Sequence, residues 1–281
     1  MITVTGATGQ LGHLVIRALL DQGVPAENIT AAARRPEQAD LGVRTVLADY
    51  SRPQTLAGAL AGTDRLLLIS SNEVGSRVQQ HSNMIEAAKA AGVSLIAYTS
   101  VLRADTARMT LAAEHLATEE IIRESGLPFV LLRNSWYTEN YTAALPLILQ
   151  HRAVLGSAGD GRVSAATRAD YAAAAAAVLT AANHMNAVYE LGGDEPFTLA
   201  ELATEITRQT GTEITYHDLP VEEYTRALVG AGMPEPVAAQ IADSNLGIAR
   251  GEVYTDSGDL RKLIGRPTTT LAAAIEVAIR A

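Results

Sequence analysis

The residues best placed to do chemistry stand at the start of the chain. Gly6-Ala7-Thr8-Gly9-Gln10-Leu11-Gly12 forms a G-x-x-G-x-x-G run that follows a short apolar stretch and leads directly into an amphipathic pattern. Glycines so arranged permit a tight turn and let the backbone approach a pyrophosphate, while the N–H groups and dipole of the next helix stabilise negative charge. The run therefore reads as a dinucleotide loop, with Gly6, Thr8, Gly9, Gln10, Leu11 and Gly12 against the phosphates. Arg34 follows 22 residues after Gly12, close to the spacing of about 20 at which the selector of the adenosine ribose falls. An Arg there can hold a 2′-phosphate through two parallel charge-assisted hydrogen bonds, which favours NADP(H) over NAD(H). Two solvated arginines, Arg34 and Arg35, would give the same sequence.

Other candidates sit where strands end. Ser70 and Ser71 close the fourth strand pattern and are expected to touch the cofactor; Thr99-Ser100 closes the fifth, and Asp49-Tyr50 after the third could flank an adenine or simply form a polar loop. Beyond the sixth strand, Trp136, Tyr137 and Tyr141 place three aromatic residues within six positions of a chain that is only 4% aromatic. With Asn140 they are read as a pocket for a flat substrate ring, although an aromatic anchor for a second lobe has the same composition. Asn134 could bond a carboxamide or cap nearby backbone. His115 and Glu119, at i and i+4, share a helix face and could act as an acid with its orienting carboxylate, or form an ordinary surface pair. His13, His81, His151, His184 and His217 show no metal-ligand spacing, so no metal site is expected.

These residues need a scaffold, and the rhythm of the chain supplies one. Apolar runs at Ile2–Thr5, Ile29–Ala33, Arg44–Leu47, Arg65–Ile69, Leu95–Thr99 and Phe129–Leu132 alternate with helical patterns at Leu11–Leu20, Thr55–Leu60, Val78–Ala91 and Leu111–Ser125. That alternation predicts an α/β fold with a Rossmann doubly wound parallel sheet over residues 1–134. Gly23, Gly62, Gly92 and Gly126 each follow a helical pattern, as C-terminal stops do. Residues 135–281 read as a smaller, mainly helical substrate lobe interleaved with the first: helical over Tyr137–Gln150, extended over Arg162–Ala166, an alanine-rich helix Tyr171–Ala182 that Asp170 could cap, a strand Val188–Leu191 rejoining the first sheet, and an extended Glu213–Tyr216.

Composition narrows the classes. The 281 residues are 48% hydrophobic and 19% charged with a formal charge of −9, which argues against nucleic-acid or anionic membrane partners. Cys is absent, so disulfides, a thiol nucleophile and thiolate metal sites are excluded. Without an apolar span or a signal-peptide pattern, a cytoplasmic protein that meets small molecules is expected, and homo-oligomer formation is left open.

Gly6 to Gly12, Arg34, Ser70-Ser71-Asn72-Glu73, the run Leu132-Arg133-Asn134-Ser135-Trp136-Tyr137-Thr138-Glu139-Asn140, and Leu263-Ile264-Gly265-Arg266-Pro267-Thr268-Thr269-Thr270 together resemble the NmrA-like atypical short-chain dehydrogenases. Among these the chain is most similar to NADPH-dependent quinone oxidoreductases related to triphenylmethane reductase. The resemblance implies a Rossmann lobe, a small C-terminal lobe, and a quinone or dye site over the nicotinamide. The wider superfamily uses a Tyr followed four residues later by Lys as its acid. Here the only lysines, Lys89 and Lys262, have Ile85 and Gly258 at that position, so the pair is missing. An alkyl ketone needs a proton donor as charge builds on oxygen, whereas a quinone or cationic dye takes hydride into a delocalised system. The expected activity is therefore flavin-independent reduction of a quinone or dye by NADPH. The same missing acid fits an NADP(H) sensor that regulates a protein partner without chemistry, and a flavoprotein is a third reading.

Overall fold

The structure, a computed structural model, describes residues 1–280. Its core is a seven-stranded sheet in the order β3-β2-β1-β4-β5-β6-β8, every neighbouring pair parallel. The strands are β1 (Ile2–Thr5), β2 (Ile29–Ala33), β3 (Arg44–Leu47), β4 (Arg65–Leu68), β5 (Leu95–Val101), β6 (Phe129–Asn134) and β8 (Ala187–Leu191). Every residue of β1, β2, β5 and β6 is buried, which is why these segments are continuous apolar runs rather than alternating ones. Chain order reverses between β1 and β4, and ligands of open α/β sheets bind at such a switch point, beyond the strands' C-terminal ends.

Helices cover both faces. On one, α1 (Gln10–Asp21) packs against the alanine-rich α7 (Arg168–Thr180), with Val15, Ile16, Leu19, Val178 and Leu179 filling the layer. On the other, α2 (Leu56–Ala59), α3 (Arg77–Ala90) and α4 (Thr110–Glu124) cover Leu66, Leu68, Ile96 and Leu131. The four expected glycine stops all take positive φ, from +70° at Gly92 to +84° at Gly23, a region that side chains disfavour.

After β6 come α5 (Glu139–Thr142) and α6 (Leu145–His151), where one helix was expected; Pro146 near the start of α6 lacks the N–H that an uninterrupted helix would need. Residues 162–166 form no strand and make only the single bridges Val163 to Phe197 and Tyr137 to Ala166. A second sheet of two parallel strands, β7 (Ala153–Gly156) and β9 (Thr215–Asp218), was not foreseen as a pair, and β9 begins two residues later than the extended stretch expected. The cap of α7 also differs from expectation. Thr167 accepts from the Asp170 N–H, and Asp170 lies three residues inside the helix. There its carboxylate accepts from the Thr269 N–H at 2.9 Å and meets Arg266 at 2.7 Å, so it clamps the C-terminal Arg-Pro-Thr-Thr segment onto α7.

Helices α8 (Leu199–Thr210), α9 (Val221–Gly230), α10 (Glu235–Ala249), α11 (Asp259–Ile264) and α12 (Leu271–Arg280) complete the chain. Leu145, Val154, Phe197, Leu202, Ile206 and Ile248 form a second core, to which Val101 of β5 and Met109 and Ala112 at the start of α4 also belong. Among the described residues, no helix is long and apolar enough to cross a membrane.

Candidate dinucleotide and acceptor site

The glycine loop leaves β1 exposed at its end and turns into α1. Gly6 takes φ +58°, and its carbonyl accepts from the Gly9 N–H at 2.9 Å. A Cβ on Gly12 would lie 2.4 Å from that carbonyl oxygen and 2.7 Å from Ala7 Cα, so only glycine lets the first turn of α1 sit this close to the loop. No side chain caps α1 at Gly9, and its first turn carries no acidic residue. The orphan N–H groups of the first turn therefore remain for an anion. Thr8, Gly9 and Gln10 are exposed beside them; Leu11 is buried in the core and offers only backbone.

The ribose end is framed by β2 and β4. Arg34 Nη1 donates to Glu73 Oε1 at 2.8 Å across the end of β1. Tyr50 fills the floor between the strands: its single hydroxyl proton is shared between Thr5 Oγ1 and the Ile69 carbonyl, the latter at 2.9 Å, and burial pushes its pKa up. Asp49 binds its own turn through Ser51 and Arg52. Ser70 and Ser71 are half-buried at the end of β4, with the Ser70 N–H donating to Thr99 Oγ1 at 2.8 Å and the Ser71 N–H to His81 Nε2 at 2.9 Å. Because Nε2 accepts, the neutral ring carries its proton on Nδ1, facing Thr118 Oγ1 at 2.9 Å. Burial, with the Arg77 charge second, depresses the His81 pKa to about 3, so the ring stays neutral.

At the other end of the groove, Asn134 closes β6. It is buried, yet its Oδ1 has no hydrogen-bond partner. An orphaned buried acceptor is costly unless something completes it, and a carboxamide N–H is a suitable donor. The loop, the cationic Arg34 and this acceptor, strung along one sheet edge, fit a nicotinamide dinucleotide from phosphate to ring.

The family described as NmrA-like matches residues 1–271. The chain belongs to the NmrA-like family. Over 279 residues it is 50% identical to quinone oxidoreductase 2 of Escherichia coli, covering 98% of this chain and 97% of the relative. The crystal structure of an Escherichia coli NADPH-dependent quinone oxidoreductase complexed with NADPH superposes with a TM-score of 0.96 at 49% identity, covering 99% of this chain and 100% of that one. A Citrobacter triphenylmethane reductase complexed with NADP(H) gives 0.93 at 39% identity over 99% of this chain and 100% of the other.

In this NmrA-like chain the aromatic run beyond β6 is tied into the fold. Tyr137 meets Tyr171 edge-on with centroids 5.5 Å apart, and the Arg168 guanidinium lies 4.4 Å over its ring. Arg168 also donates to Asn140 Oδ1 at 3.0 Å, while Glu139 accepts from the Arg168 N–H at the start of α7. Trp136 and Tyr141 are half-buried against the second core, and the Tyr141 hydroxyl is buried without a partner. The run therefore contributes anchoring contacts and leaves two unfilled polar atoms, on Asn134 and Tyr141.

His115 and Glu119 share a face of α4 but do not meet as acid and orienter. His115 Nδ1 lies 2.7 Å from the Tyr98 hydroxyl in a buried layer, and burial holds its pKa well below the usual histidine range. Glu119 is taken by Arg133, which donates to it at 2.9 and 2.7 Å, and by the Ser100 hydroxyl at 2.6 Å. Arg133, 4% exposed, also meets Glu190 at 2.9 Å and Asp105 at 3.0 Å. Burial alone would lower the Arg133 pKa, but the hydrogen bonds to Glu119 and Glu190 outweigh it and push the pKa up. The signal for Arg133 in the sequence is a lone charge at the end of the apolar run Phe129-Val130-Leu131-Leu132, which demands a buried partner. The Glu73 carboxylate was not foreseen as the partner of Arg34. Among the described residues, no three His, Asp or Glu side chains gather as a metal site.

Proposed function

We infer that this chain is an NADPH-dependent oxidoreductase that reduces a quinone or cationic dye by direct hydride transfer, without flavin. The observation that carries the reading is the full-length match, in sequence and backbone, to a quinone oxidoreductase solved with NADPH. NADPH supplies the hydride when bound. The first turn of α1, with Gly6, Thr8, Gly9, Gln10, Leu11 and Gly12, receives the pyrophosphate on its open N–H groups; Arg34 receives the 2′-phosphate; Ser70 and Ser71 line the groove; Asn134 Oδ1 accepts from the carboxamide and so fixes the ring's orientation.

In this reading residues 1–134, with β8 rejoining the sheet, form the cofactor lobe, and residues 135–281 form the acceptor lobe. Trp136, Tyr137, Asn140 and Tyr141 shape the acceptor pocket between them, holding a flat ring against the nicotinamide and excluding water. Neither His115 nor Glu119 is set up to give up a proton. His115 is buried against Tyr98, and Glu119 is locked to Arg133. A quinone takes one proton with the hydride, and water supplies it after transfer.

The test is loss of 340 nm absorbance when purified, flavin-free protein is mixed with NADPH or NADH and a panel of quinones and triphenylmethane dyes. Rapid loss with NADPH and slower loss with NADH is the expected result. Tight NADPH binding with no turnover of any acceptor would replace the enzyme with a dinucleotide sensor.

A further inference from the structure

We propose that Glu73 sets how strongly the dinucleotide site prefers a phosphorylated adenosine ribose over an unphosphorylated one. The inference rests on the reading of Arg34 as the 2′-phosphate acceptor. Strands β2 and β4 flank β1, and Arg34 and Glu73 leave their C-terminal ends, so the 2.8 Å ion pair between them bridges the groove into which the glycine loop opens. Glu73 is held from other directions as well. Its Oε2 accepts from Gln80 Nε2 at 2.7 Å, and its backbone N–H donates to Ser71 Oγ at 3.1 Å. Gln80 is itself buried and donates to Ser51 Oγ at 2.9 Å, which ties the carboxylate to the loop after β3.

Two opposite selectors thus stand together. In Rossmann sites a carboxylate near the adenosine ribose accepts from a free 2′-hydroxyl, and an arginine accommodates a 2′-phosphate. Here an arginine presents a phosphate-binding fork with a carboxylate already on one of its nitrogens. The two side chains are 65% and 45% exposed, so the pair holds Arg34 in place only weakly. The negative charge of Glu73, however, acts on an approaching dianion across the whole width of the groove. It competes with the 2′-phosphate for Arg34 and repels it, and it offers an acceptor to the ribose when no phosphate is present. The site consequently accepts both cofactors, with Arg34 supplying the preference for NADPH and Glu73 limiting it.

Calorimetric titration of 2′,5′-ADP and of 5′-ADP into the wild-type protein, Glu73→Gln, Glu73→Ala and Arg34→Ala tests this without turnover. Both Glu73 variants should raise the ratio of 2′,5′-ADP to 5′-ADP affinity by about three- to tenfold. The gain should shrink between 0.05 and 0.5 M salt, where the screening length falls from above to below about 10 Å. A lower ratio, or an unchanged one, in either Glu73 variant would overturn the proposal, because it would make Glu73 a prop for Arg34 or a bystander. Arg34→Ala separates the two readings: if it abolishes discrimination while the Glu73 variants change nothing, the inference alone fails. If Arg34→Ala leaves 2′,5′-ADP affinity intact, the reading beneath it fails as well.

Discussion

The two ends of the sheet's C-terminal edge treat their polar groups in opposite ways. Around β1, donors are left open: α1 starts without a capping side chain, and Arg34 is exposed on a single ion pair. Around β5 and β6 nearly every polar group is closed by another. Arg133 binds Glu119, Glu190 and Asp105, Ser100 binds Glu119, and Tyr98 meets His115. Open donors cost stability but receive a ligand, whereas closed networks order the fold and cannot exchange protons without breaking. The difference teaches that the chain invests in holding a dinucleotide and a rigid floor for the reaction, and not in acid–base catalysis. The exceptions at the closed end, Asn134 Oδ1 and the Tyr141 hydroxyl, are where a ligand has something to complete.

This contrast can be broken from the closed side first. Arg133→Met should strand the Glu119 carboxylate and lower the unfolding free energy by about 3–5 kcal/mol, measured by urea denaturation. On the open side, Gly12→Ala pushes a methyl group into the Gly6 carbonyl. A stability loss of about 1–3 kcal/mol is expected, together with a loss of NADPH binding that exceeds what the stability change explains, seen by titrating cofactor fluorescence. Arg34→Ala should weaken NADPH about ten- to a hundredfold, the worth of a charge-assisted hydrogen bond or two, and NADH about threefold or less.

The closed side can also be probed by pH, without a substitution. His81, at about 3, and His115, well below the usual range, are both neutral in the fold, and burial is the first cause in each. Their folded values lie below the unfolded value near 6.5, so the unfolded chain binds protons first as pH falls. Stability is complete above about pH 6.5 and declines below it, by at most about 1.4 kcal/mol per pH unit for each histidine. Thermal melts from pH 8 to 4.5 check the sign; a melting temperature that rises below pH 6.5 would place these rings elsewhere than in the buried layer.

The parallel sheet was legible because strands covered on both faces are continuous apolar runs, and β1 and β2 fell on the expected residues, as did the half-exposed edge strand β3. Strand β7 was not: Ala153-Val154-Leu155-Gly156 is four residues long, follows α6 through Arg152 at φ +52°, and owes its existence to a partner some sixty residues away. The glycine loop was legible because its geometry is local. Partnerships were not. Glu73 lies 39 residues from Arg34, and Glu190 lies 57 from Arg133, so only the folded sheet brings them together. For the same reason Glu119, one turn from His115 in sequence, belongs in space to Arg133.

Direct transfer from cofactor to acceptor is the central claim, and it can be followed atom by atom with a triphenylmethane dye, whose central carbon keeps any hydride it receives. NADPH carrying deuterium at the transferred C4 position, incubated with the flavin-free protein and the dye in ordinary water, should give colourless product with one deuterium at that carbon by mass spectrometry. Product bearing only hydrogen there would show that the hydride passed through an exchangeable carrier and would contradict the account.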